Sequence, residues 1–182
     1  MRINRFVPIL FIVCWVLVRH ACATDVKPPV VCHLPKTAVA VLADTLPDWT
    51  IVSTSDLTEH DRMLWNAIHY HHCPGIAVGD YFGNRNLSLA VTLINRQPTK
   101  MLQTLVVLKP RDGSYELIEL SKPQEASRAL VVFRLGPAVF DDIETGEKSK
   151  ITCDSVAYED IAAGMLIYAW HSGKFMQIQA SE

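Results

Sequence analysis

The sequence predicts an α+β fold, two N-terminal helices packed on a mostly antiparallel sheet of about eight strands. Three observations predict it. Two segments before residue 70 carry apolar residues at helical spacing. From Gly75 onward the chain breaks into short β-branched and aliphatic runs. The turn signals between those runs are short enough to join antiparallel neighbours.

Taken in order, Met1–Ala23 has the form of a secretory signal peptide. Arg2 and Arg5 precede an apolar run of 13 residues, Phe6 to Val18, and Ala21-Cys22-Ala23 fits the small-x-small cleavage rule. Thirteen residues are too few to span a bilayer comfortably, so no integral membrane segment is expected after processing. Arg19-His20-Ala21 before Cys22 is a poor lipoprotein signal, so the exported chain is expected to start at Thr24 without lipid. It then forms one domain, 24–182, in the periplasm or outside the cell. The signal holds three arginines and no acid. The exported chain keeps 14 basic and 19 acidic residues, a formal charge of −5, which gives no electrostatic reason to bind nucleic acid or anionic membrane. Of the cysteines left after export, Cys32 and Cys73 are expected to pair, since both sit beside Pro-containing loop segments and would tie down the N-terminus. Cys153 reads as a small buried hydrophobe in a strand, Lys150 to Asp154.

Pro35 to Leu46 reads as a short helix with Ala38, Val41, Leu42 and Leu46 on one face, and Trp49 to Ser53 as a strand. A second helix follows. Asp56 with Glu59 three residues later has the capping-box form, and Leu57, Leu64, Trp65 and Ile68 share a face. It ends in His69-Tyr70-His71-His72-Cys73, stopped by Pro74. His69 and His72 are a candidate zinc or copper site, with Cys73 beside them. The other reading of these histidines is as imidazolium at the negative end of the helix dipole.

Gly75 to Tyr81 and Leu87 to Ile94 form a hairpin around Phe82-Gly83-Asn84-Arg85-Asn86, whose Gly and Asn residues tolerate positive φ. In the second strand Leu87, Leu89, Val91 and Leu93 alternate with Ser88, Ala90, Thr92 and Ile94, which predicts burial mainly on one side. Further strands are Met101 to Lys109 and Ser114 to Leu120 around the Pro110-Arg111-Asp112-Gly113 turn, then Ala129 to Leu135, Ile151 to Tyr158, and a last hairpin, Met165 to Trp170 and Lys174 to Ile178, around Ser172-Gly173. Asp141 to Lys150 reads as a charged loop.

The run Gly79-Asp80-Tyr81-Phe82-Gly83-Asn84-Arg85-Asn86-Leu87-Ser88-Leu89-Ala90-Val91 resembles one repeat of the integrin-type FG-GAP family, also called VCBS-like, roughly G-D-F-N-G-D-G-x-x-D-L-A-V. Asp80, Gly83, Leu89, Ala90 and Val91 match as they stand, and Asn84 and Ser88 are softened matches. The resemblance implies a calcium loop and makes Asp80, Asn84, Asn86 and Ser88 binding candidates. Phe82 stands where a ligand oxygen is needed, and one carboxylate is far from the six or more oxygens calcium takes. The run occurs once, which gives a propeller no support. Ile151 to Glu182 resembles the ending of a group of small exported bacterial proteins, with a Tyr-Glu turn, a Tyr-x-Trp strand, a Gly turn and a Lys-Phe strand. That resemblance implies a periplasmic setting and a shared fold, and implies nothing about catalysis.

Catalytic patterns are thin. There is no G-x-S-x-G, H-E-x-x-H, P-loop or G-x-G-x-x-G. Asp141, Asp142 and Glu144, like Glu159 and Asp160, read as solvated charge, and Asn86-Leu87-Ser88 is formally a glycosylation sequon. The sequence therefore points to an exported, non-catalytic module, of inhibitor or immunity type, binding another envelope or secreted protein without a cofactor. The alternative is a metal-binding protein or metal-dependent enzyme, with zinc or calcium, built on His69 and His72.

Overall fold

The computed structural model describes residues 32–70, 72–161 and 163–180. The readings placed on Met1–Ala23, on the Thr24 start, on His71 and on the last two residues lie outside them.

The chain lays down α1 (Lys36–Thr45), β1 (Thr50–Ile51), α2 (Glu59–Ile68), β2 (Ile76–Gly79), β3 (Ser88–Arg96), β4 (Met101–Arg111), β5 (Ser114–Ala126), β6 (Val131–Leu135), β7 (Ala138–Asp141), β8 (Lys148–Ile151), β9 (Ser155–Asp160), β10 (Gly164–His171) and β11 (Lys174–Ala180). These eleven strands form three antiparallel sheets, which overturns the expected α+β arrangement of two helices on one sheet of about eight strands. The first sheet runs β1-β3-β4-β5, with β2 also on β3; the second runs β11-β10-β9-β6; β7 and β8 pair alone.

The two larger sheets pack face to face. Ala77, Tyr81, Phe82, Ala90, Leu105 and Val107 from the first meet Val132, Val156, Tyr158 and Tyr168 from the second. Strand β3 is accordingly buried on both faces, not mainly on one. Leu89, Val91 and Leu93 face α1, through Ala38 and Leu42, while Ala90 faces the second sheet. The outer side of the second sheet is covered twice. Against β6, Trp65 of α2 and Leu57, just before that helix, pack with Val131. Farther along, Ile167, Ala169 and Ile178 are roofed by Ile151 and Phe140 of the β7–β8 hairpin. The charged segment read as a loop is thus the tip and inner ends of a hairpin. Its polar residues face water while Phe140 and Ile151 face in.

Both helices form close to where their spacing places them. The cap of α2 is Thr58, not Asp56: its hydroxyl accepts the Asp61 amide at 3.1 Å. Asp56 instead accepts the Ser53 amide and hydroxyl, each at 2.8 Å, and pairs with Arg96 at 2.7 Å. Strands β1 and β2 lie end to end along the same edge of β3. They meet at Thr92, whose carbonyl accepts the Val52 amide and whose amide donates to the Gly75 carbonyl, both at 3.0 Å. The sandwich is stitched on this side by the Val132 amide donating to the Pro74 carbonyl at 2.7 Å. The expected Cys32–Cys73 disulfide is present, with 5.4 Å between Cα atoms, and it anchors the chain before α1 to the start of β2. Cys153 is buried as expected, though in the turn before β9, its sulfur 3.9 Å from the Tyr81 carbonyl.

Candidate binding cleft

The opposite side of the sandwich is open. There the last strand of each sheet, β5 and β11, borders a cleft of about 470 Å³ lined by Ile118, Glu119, Leu120, Tyr168, Trp170, Gly173, Lys174, Phe175 and Gln177. Its aromatic floor is set by one turn. Ser172 and Gly173 take φ of 49° and 86°, the double left-handed conformation of a two-residue hairpin, which places Trp170 directly opposite Phe175. The rings stand edge to face at 5.1 Å, and Phe82, delivered by the β2–β3 loop, closes the cluster at 4.8 Å from Trp170 and 5.4 Å from Phe175. The Lys109 ammonium sits 4.6 Å from the Phe82 ring centroid, on the first sheet's side of the cluster. Burial raises the Tyr168 phenol above its ordinary value, so it stays protonated. The charged lining residues, Glu119 and Lys174, are exposed on the rim. An apolar, aromatic floor with a polar rim suits binding.

The loop that delivers Phe82 is held from within. The Asp80 carboxylate accepts the Asn84 and Arg85 amides at 3.0 and 2.9 Å, and the Asn84 side chain accepts the Asn86 amide at 3.0 Å. The Asp80 amide donates to Asp154 at 2.9 Å, and Asp154 pairs with Arg134 at 3.0 Å. Of the four residues proposed from the FG-GAP resemblance, Asp80 and Asn84 therefore direct side-chain oxygens at their own loop. Ser88 is buried at the start of β3, and the Asn86 backbone is part of the same turn.

His69 and His72 do come together, with ring centroids 6.5 Å apart. His69 caps α2, stacked on Trp65 at 4.3 Å and against Phe133 at 4.5 Å. Burial first, then the positive charge of His72, lowers its pKa. The His72 carbonyl accepts the Trp65 indole N–H at 3.1 Å, and His72 lines a second, smaller cleft of about 290 Å³ beside the disulfide. The Cys73 sulfur is committed to Cys32. Among the described residues no three His, Cys, Asp or Glu side chains gather to hold a metal. No helix among them is long and apolar enough to cross a membrane.

Comparison with protein families, with curated proteins and with solved structures finds no match to this chain. The sequence reading placed Trp170 and Phe175 in the last hairpin, and marked neither them nor Phe82, Lys109, Ile118, Leu120, Glu119, Lys174 and Gln177 as cleft residues. The Ser172-Gly173 turn signalled the Trp170–Phe175 pair. No local pattern signals that Ile118 of one sheet will face Trp170 of the other.

Proposed function

We propose that the exported chain is a non-catalytic binding module, and that its contact face is the open mouth between β5 and β11. One observation carries this reading: an aromatic floor of Trp170 and Phe175, braced by Phe82, lies in a cleft with opposite charges, Glu119 and Lys174, in its lining. Tryptophan and tyrosine held in a rimmed depression are the residue types that dominate binding energy at protein interfaces. The partner in this reading is another envelope or secreted protein, and an inhibitor or immunity-type role is the form we favour. The test is affinity capture from envelope extract with the wild type and with Glu119→Lys/Lys174→Glu. Both substitutions lie on the rim and should leave the fold intact by melting temperature. Capture of a defined protein by the wild type and its loss in the variant supports the reading; equal capture by both removes the cleft from it. Elemental analysis of untagged protein addresses the metal alternative, which stoichiometric zinc or copper would favour.

A further inference from the structure

The first sheet ends at β5 and the second at β11, and among the described residues neither outer edge pairs with another strand. An unpaired edge is a template for other chains, and proteins blunt such edges with proline, lysine, bulges or a covering segment. Here those devices are unevenly placed. The far half of β5 holds Lys122 and Pro123, and its register against β4 slips twice, between Gln103 and Leu105 and again between Leu105 and Val106. The slip is pinned by Ser121, whose hydroxyl accepts the Leu105 amide at 2.8 Å. The near half has none of these: Ser114 to Glu119 pairs Arg111 to Val106 without a break and contains neither proline nor lysine. On β11 the Gln179 carbonyl is covered by the Ile143 amide at 2.9 Å. That leaves Lys174 to Gln177 as the uncovered stretch. The uncovered stretches on both strands, of which only that on β11 carries a lysine, Lys174, run into the same cleft, and Ile118, Trp170 and Phe175 line its floor.

We propose that this mouth takes an extended segment of the partner protein as an added strand, hydrogen-bonded along Ser114–Glu119 of β5. The proposal rests on the reading of the cleft as the protein-binding face and specifies what enters it. Backbone groups of the two edges supply the affinity, and alternate side chains of the guest supply the specificity. Guest residues of one parity lie over Ile118, Trp170 and Phe175 and are apolar. Those of the other parity lie beside Glu119, so a lysine or arginine is favoured there. Glu116 is already engaged by Arg111 at 3.5 Å, which leaves Glu119 as the selecting charge on this stretch.

The probe is a random dodecapeptide library displayed on phage and panned against the full exported chain. The expected result is enrichment of sequences that alternate apolar and polar residues with a basic residue on the polar face. A synthetic consensus peptide should lose binding by about tenfold or more when alternate backbone nitrogens are methylated, and little when the intervening ones are. Glu119→Lys should weaken the basic consensus. Enrichment of no alternating sequence overturns the proposal, and so does binding indifferent to both methylation patterns. If peptides fail in this way while envelope capture still depends on Glu119 and Lys174, the cleft remains the binding face and a folded surface occupies it. If capture is also unaffected, the cleft reading falls as well.

Discussion

Gly75→Ala isolates the junction that holds the first sheet together. The backbone φ of Gly75 is an ordinary one, so any penalty is steric. An added Cβ would lie 2.1 Å from the Val52 carbonyl oxygen and 2.9 Å from Ile51 Cγ2, and the first of these is backbone that cannot swing aside. The end of β1 and the start of β2 must then separate by about 1 Å or more to reach ordinary van der Waals contact. The two hydrogen bonds that tie either side of that gap to Thr92 are strained by the separation, and weakening them costs about 1–3 kcal/mol in total. Val52, 3% exposed, shifts with them. Opposing this, alanine restricts the unfolded chain, a gain of about 0.4–1 kcal/mol. The net expectation is a loss of about 1–2 kcal/mol, or roughly 2–8 °C in melting temperature for a chain of this size. Thermal and urea denaturation with the disulfide intact measure it. Gly136→Ala is the control, because a Cβ there meets nothing within 4 Å; it should be neutral or slightly stabilising. A Gly75→Ala protein melting within a degree of wild type would refute the steric argument.

Three further outcomes are expected. Trp65 is 1% exposed and Trp170 half-buried, so Trp65→Ala should cost about 3–5 kcal/mol and Trp170→Ala about 2 kcal/mol; equal losses in urea denaturation would contradict the partial burial of Trp170. The His69 pKa is lowered in the fold, so the unfolded chain binds the extra proton first as pH falls. Stability should be fully present above about 6.5 and decline as pH drops below it, and His69→Phe should flatten that slope in urea midpoints taken from pH 7.5 to 5. Millimolar calcium should leave the melting temperature unchanged, because both Asp80 oxygens already accept backbone N–H groups. A site filled at about 100 times its dissociation constant would add about 2.7 kcal/mol.

Local features were legible because local chemistry decides them. The Ser172-Gly173 turn, the Trp170–Phe175 pair, the extents of the helices and the Cys32–Cys73 disulfide all follow from short-range signals or cysteine context. The division into two sheets does not. Alternation in β3 separates Leu89 and Val91 from Ala90 and Thr92, but small residues on the second face look the same whether that face meets water or a closely packed second sheet. Here it meets the sheet that carries Val132, Val156 and Tyr158. The β7–β8 hairpin was hidden because it buries one face only, and its polar residues outnumber Phe140 and Ile151. Asp56 preceded the true cap by two residues, and its carboxylate was claimed by Ser53 and Arg96 instead. The cleft was the least legible feature, since its walls are joined by tertiary packing between residues some fifty positions apart.

Amide hydrogen exchange, measured on residues 24–182 alone and then in complex with the partner that the proposed binding role requires, tests the central claim most directly. The outward-facing amides in Ser114–Glu119 and Lys174–Gln177 should exchange rapidly in the free chain and slow markedly in the complex. Protection confined instead to the exposed Met63, Ile68 and Tyr70 surface around α2, or to the cleft beside His72 and the disulfide, with β5 and β11 unchanged, would contradict it.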